Sequence, residues 1–305
     1  GLFCAGALPL SALQVNGLSG SDVEFVVALV ARAFVSSIPD DPRLSPLVRV
    51  IPLQGVPLTS SCCVEALVFD SPITPDEKAL LPVAKVCVAA FHCGLDISKQ
   101  FSTLEDAHGQ PSAVKLEFAD GASGWHPAQQ ELDSLYSLME MLAGAGVGVV
   151  ACQRVIHPGV RGRCRELGMV PLERLSARHI GAFCRVSGAI PFGTIHPDVS
   201  SGWHRQLGTL SALSLKKVGE KDLVQAVPCF PPPQNSGAVA TIMMGGPADL
   251  IMQEVCCAVQ AAISVLERAL RIPLAVPGGG CTEVMVAHFL RRKAAAAYRR
   301  GSPEM

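Results

Sequence analysis

Apolar residues recur every three to four positions over 20–36, so that Val23, Val27, Val30 and Phe34 fall on one side of a helix. Ser21 or Asp22 can cap it, and Pro39-Asp-Asp-Pro42 breaks it. β-Rich runs at 47–53 and 64–69 follow, separated by turn residues. The run 83–91 is almost continuously apolar, as a strand covered on both faces should be. Over 97–126 the pattern turns polar and glycine-bearing, apart from a strand expected at 113–118, and reads as an excursion from the core. An amphipathic helix is then expected at 128–142, with Leu132, Leu135, Leu138 and Met139 on one face and Gly144 and Gly146 behind it.

From there strands and helices alternate. A strand at 147–151, a helix at 158–167 opened by proline, a strand at 169–172, a helix at 176–186 and a strand at 189–194 predict an α/β layer. Strands at 207–215 and 222–227, split by Val218-Gly-Glu220, predict an antiparallel hairpin. Pro231-Pro-Pro-Gln-Asn235 reads as a surface linker. A strand at 239–244, a turn at Gly245-Gly246 and long helices at 248–271 and 283–298 complete the chain. The α/β unit at 64–227 thus sits between two segments that belong to one other body, the arrangement of an inserted domain.

Composition narrows the function classes. With 49% apolar and 17% charged residues the 305-residue chain is globular, and a net charge of −1 argues against nucleic acid and charged membrane surfaces as partners. No apolar run nears the roughly 18 residues of a membrane span, and 2–13 makes a poor signal peptide without a basic flank. The 12 cysteines form no spaced framework and mostly occupy apolar runs, which places the chain in a reducing cytosol and leaves no zinc motif. The chain does not begin with Met and reads as part of something longer.

Candidate chemistry concentrates in few places. Gly278-Gly-Gly280 lies between the two long helices; it either lets backbone approach a ligand or lets helix ends pack closely. Cys152 and His157 form a possible nucleophile–base pair, against the stronger expectation of a structural thiol that ends a buried strand. His196-Pro-Asp198 reads as a turn, and Trp125 and Trp203 each adjoin a histidine.

Four stretches carry a resemblance: Gly144-Ala-Gly-Val-Gly-Val-Val-Ala-Cys-Gln153, Ser176-Ala-Arg-His-Ile-Gly-Ala-Phe-Cys-Arg-Val-Ser-Gly188, Val239-Ala-Thr-Ile-Met-Met-Gly-Gly246 and Val276-Pro-Gly-Gly-Gly-Cys-Thr-Glu283. In this order and spacing the chain resembles the group II (TCP-1/cpn60) chaperonins. Cys152-Gln-Arg-Val-Ile-His-Pro158 and Gly278-Gly-Gly-Cys-Thr-Glu283 are most similar to the McKusick–Kaufman/Bardet–Biedl branch.

The resemblance implies an α/β apical domain at 64–227 inserted into a helical intermediate domain at 18–63 and 228–273, with equatorial remnants at 1–17 and 274–305. It implies that Gly278, Gly279 and Gly280 face ATP, and that a water-activating aspartate should stand where this chain has Ala261. The ATP site is then incomplete, and a chaperonin-like binder with weak or no hydrolysis is expected, with no metal site of its own. The alternatives are an ATP-driven folding subunit and a small α/β enzyme using Cys152. The resemblance also implies client contact through Val160, Arg161, Arg163, Cys164 and Leu167; the three arginines of that segment fit a plain exposed face at least as well. The family's helical lid segment is not expected at 97–126, whose glycines and prolines disfavour a long helix. The implied partners are sister Bardet–Biedl chaperonin-like proteins and cytosolic chaperonin ring subunits, with BBSome subunits as clients, near the centrosome and ciliary base.

Overall fold

The computed structural model describes residues 18–39, 41, 43–97, 127–195, 202–218, 221–230, 238–246, 249–274 and 276–300. The expectations for 2–13, the strand at 113–118, the missing lid helix, His196-Pro-Asp198, Trp125 and the 231–235 linker lie outside these residues.

Helix α1 (Gly20–Ser36) has the expected bounds, but its cap is Ser19 in place of Ser21 or Asp22: Ser19 Oγ takes the Asp22 amide while the Asp22 carboxylate takes the Ser19 amide, a capping box. Strands β1 (Leu47–Gln54), β2 (Cys62–Val64) and β9 (Val239–Gly246) form a three-stranded sheet in the order β1-β9-β2. β1 runs parallel to β9 and β2 antiparallel to it. Helix α1 and the long helix α6 (Asp249–Arg271) cover one face of this sheet. Val26, Val30 and Phe34 meet Val255, Val259 and Leu266 over Ala240, Ile242 and Met244, a buried core.

The second sheet has six strands, ordered β3-β8-β7-β4-β5-β6. These are β3 (Leu67–Phe69), β4 (Val83–Phe91), β5 (Val147–Cys152), β6 (Val170–Leu172), β7 (Gly208–Val218) and β8 (Lys221–Pro228). β4, β5 and β6 are parallel, and β7 and β8 make the expected antiparallel pair. Between them the chain forms α2 (Pro75–Lys78), α3 (Pro127–Gly144), α4 (Pro158–Glu166) and α5 (Ala177–Ser187). Alternate residues explain the apolar run of β4. Val88 and Ala90 face α5 with Ile180, Phe183 and Val186, whereas Ala89 and Phe91 face α3 and α4 with Leu135, Met139 and Val160.

Three expectations need correction. The run 64–69 is two strands in different sheets: the chain leaves the small sheet after Val64 and enters the large one at Leu67. The hydroxyl of Thr241 fastens this passage, donating to Ala66 O (2.6 Å) and accepting from the Val68 amide (3.1 Å). The segment 189–194 is not a strand; it meets the sheet through a bridge between Phe192 and Phe91, and the Ile190 amide turns instead to Gln206 O. Gly245 and Gly246 make no turn but end β9, where a Cβ on Gly245 would lie 2.8 Å from Val56 O and closer still to Pro57 O. The missing side chain of Gly245 makes room for a neighbouring backbone, and that of Gly246 for the Met252 side chain.

The C-terminal helix α7 (Cys281–Arg300) stands in solvent, with Val284, Met285, Val286, Phe289 and Leu290 each half exposed or more. Among the described residues no helix is long and apolar enough to cross a membrane.

Candidate functional site

The triple glycine forms the turn that starts α7. Gly279 (φ 64°) and Gly280 (φ 82°) adopt left-handed backbone that side chains resist. Gly280 O accepts from the Val284 amide (3.1 Å) and Gly278 O from the Cys281 amide (3.3 Å). A Cβ built on any of the three would meet no atom within 4 Å, so close helix packing is not their role among the described residues. The same openness bears on ATP. A nucleotide pocket is a walled cleft, and here residues 276–281 form an exposed turn, so the described residues do not complete such a site. Ala261 lies exposed on α6, on the side away from core residues Val259, Ala262 and Ile263. Among the described residues no group of three or more His, Cys, Asp or Glu could hold a metal ion.

Helix α4 departs from the expected client face. Val160 and Cys164 are fully buried, with Cys164 Sγ 3.3 Å from Met139 Sδ, so neither is available at the surface. Arg161 is also turned inward. It forks onto Glu77 (Nε to Oε1 2.5 Å, Nη2 to Oε2 2.6 Å), reaches Glu173 Oε1 (2.8 Å) and donates to Pro72 O (2.8 Å). The Glu77 side chain is completely buried. Burial pushes its carboxyl up, but the hydrogen bonds from Arg161 and from the Thr74 amide outweigh that and hold it below the ordinary range. Arg163 bridges Glu140 (2.6 Å) and Glu166 (2.8 Å), and Arg165 meets Asp76 (2.9 Å). Leu167, half-buried, caps the helix. Of the five expected contact residues, Arg163 and Leu167 thus keep substantial exposure.

Cys152 is buried and its thiol is pushed up to about 11 by that burial. It donates to Cys93 O (3.3 Å), and His157 Nδ1 is occupied with the Gly159 amide (3.2 Å) as the cap of α4. A protonated, enclosed thiol without a free base corrects the nucleophile reading. Trp203 is buried and stacks on His204, ring centroids 3.9 Å apart.

Sequence reading missed a cleft of about 660 Å³ between the two sheets. Residues 49–53 of β1 form one wall; Phe69 and Asp70, His179 at the start of α5, and Val218, Lys221 and Leu223 of the hairpin form the other. Burial, then Arg178, draws the Arg49 guanidinium below its ordinary basicity. Burial, then Arg49, lowers His179, with Asp70 opposing. No local motif announces these residues, because four distant segments supply them.

Comparison with known proteins gives the family. The chain is 26% identical over 284 residues to the molecular chaperone MKKS of Mus musculus, covering 90% of this chain and 45% of the relative. To the Homo sapiens MKKS it is 24% identical over 297 residues, 96% and 48% of the two chains. To thermosome subunit 3 of Haloferax volcanii it is 26% identical over 249 residues, 81% and 44%. The open-state monomer of a group II chaperonin from Methanococcoides burtonii shares the fold, with a TM-score of 0.63 at 16% identity over 97% of this chain and 62% of that one. The chain therefore spans about half the length of these curated relatives. The TCP-1/cpn60 chaperonin family model matches residues 12–301, and the chain belongs to that family.

Proposed function

We propose that this protein is a chaperonin-like holder of other polypeptides, serving their folding and assembly with little or no ATP turnover. The observation that carries the second half is Ala261, an exposed methyl group where the family resemblance implies an aspartate that orients or deprotonates the attacking water. In this reading, 64–227 is the apical domain, 18–63 and 228–273 the intermediate domain, and 1–17 and 274–305 equatorial remnants. The passage between sheets after Val64 and the return between Pro228 and Val239 support those borders. Partners are sister Bardet–Biedl chaperonin-like proteins and cytosolic chaperonin ring subunits, the clients are BBSome subunits, and the place is the cytoplasm at the centrosome and ciliary base. Arg163 and Leu167 are the members of α4 left to touch a client.

The test pairs two measurements on the purified chain. Light scattering of denatured rhodanese should fall when the chain is added, with or without ATP, while phosphate release stays at the buffer level. Phosphate release at the rate of an archaeal thermosome run alongside, or unchanged scattering, would overturn the proposal.

A further inference from the structure

The cleft between the sheets has a specific geometry. Val48 and Val50 of β1 pack toward the core under α1 and α6, so alternation sends Arg49, Ile51 and Leu53 to the opposite face. Yet all five residues 49–53, of both parities, line the cleft. A cleft that touches consecutive residues runs along the edge of the strand, and among the described residues β1 is a terminal strand, bonded to β9 on one side only. Such an edge offers backbone acceptors, and donors except at Pro52, which has no N–H, to an incoming extended chain.

The charges add a second constraint. Arg49, His179 and Lys221 line the cleft with Asp70 as the only carboxylate among its lining residues. The half-buried Arg49 side chain has no ion pair or hydrogen bond to another described residue. A partly desolvated guanidinium without a counter-charge is costly to keep, and an anion brought to it removes that cost. The half-buried Ile51 and Leu53 provide apolar surface beside it.

We propose that the free edge of β1 and this cleft bind an extended segment of another polypeptide, which adds as a strand beside β1 and sets a carboxylate against Arg49 and His179. The backbone edge supplies affinity, and Arg49 and Lys221 select for acidic side chains, with His179 as a ring N–H donor. This site is distinct from α4 and from the glycine turn, and it does not rest on the reading of either.

Three fluorescent octapeptides test it against the full 305-residue chain. One alternates valine and threonine with a central glutamate, the second carries glutamine instead, and the third is the glutamate peptide N-methylated at alternate amides. At low salt the glutamate peptide should bind about ten-fold more tightly than its glutamine twin, and the gap should shrink at ~0.5 M salt. Arg49→Gln should bring the two within about two-fold of each other, with the circular dichroism spectrum unchanged. Lys221→Glu, on the exposed rim, should weaken the glutamate peptide and spare the glutamine one. N-methylation should abolish binding. Equal binding of the first two peptides, an intact preference in Arg49→Gln, or undiminished binding of the N-methylated peptide would overturn the proposal. Rhodanese suppression should survive Arg49→Gln, which separates failure here from failure of the holding function.

Discussion

Replacing Arg161 by methionine would leave Glu77 without its counter-ion in a site where its side chain has no exposure. Glu77 would keep the Thr74 amide (2.9 Å) and lose both guanidinium bonds, and Glu173 would lose its 2.8 Å partner. Removing one member of a buried pair costs about 3–5 kcal/mol. An independent bound agrees: a carboxyl with an ordinary pKa of about 4.3 can be neutralised at pH 7 for roughly 3.7 kcal/mol. The expected loss for Arg161→Met is therefore about 3–4 kcal/mol at neutral pH. The folded pKa of Glu77 lies below its ordinary value, so its contribution is present above that ordinary value and disappears as pH falls through the folded one. The difference between wild type and variant should shrink between pH 7 and pH 4, as the unpaired Glu77 of the variant takes up a proton, and shrink further as pH falls through the folded pKa of the wild type. Hydrogen exchange over 158–166 reads the effect locally, and amides there should open at least two orders of magnitude more often in the variant at pH 7. The double variant Glu77→Gln, Arg161→Met should lose less than Arg161→Met alone, because no buried charge remains at Glu77. A loss under about 1 kcal/mol at pH 7, or one that is the same at pH 4, would refute the claim that this clamp is desolvated.

Three further outcomes follow from the geometry. Gly245→Ala should lower stability by about 1–3 kcal/mol in a urea titration, since the new methyl meets the Val56 and Pro57 carbonyls, whereas Gly144→Ala, which meets nothing within 4 Å, should be neutral or better. Thr241→Val should cost about 1–3 kcal/mol by stranding the Val68 amide, and exchange at that amide should accelerate more than at its neighbours in β3. Cys152 should resist iodoacetamide in the native protein at pH 7, where a thiol at about 11 is ionised in roughly one molecule in ten thousand, and should react on unfolding; prompt native labelling would revive it as a nucleophile.

Elements governed by short periodicities were legible in the chain. Helix 20–36 and strand 83–91 have the boundaries their apolar spacing gives, because each buries a complete face or both faces along its length. The failures share a cause. At 64–69 the β-forming residues say strand, but the change of sheet between Val64 and Leu67 depends on Thr241, far away in sequence. At Gly245 and Gly246 the residue type suggests a turn, and only the neighbouring 56–57 backbone explains glycine within a strand. The candidate sites behaved likewise. An arginine-rich helix read alone looks like an exposed face; Arg161 is turned inward by Glu77, 84 positions earlier. Arg49 and His179 come together only because β1 of the small sheet and α5, packed on the large sheet, border the same cleft.

Helix α7 governs how the purified chain will behave in a tube. Val284, Met285, Val286, Phe289 and Leu290 expose oily surface along this one helix, so crowding favours contact between these helices. Arg291, Arg292 and Lys293 on the same helix repel their counterparts in another copy. Added salt quiets that repulsion and hastens clumping, so dilute, low-salt buffers are the conditions in which single molecules will persist.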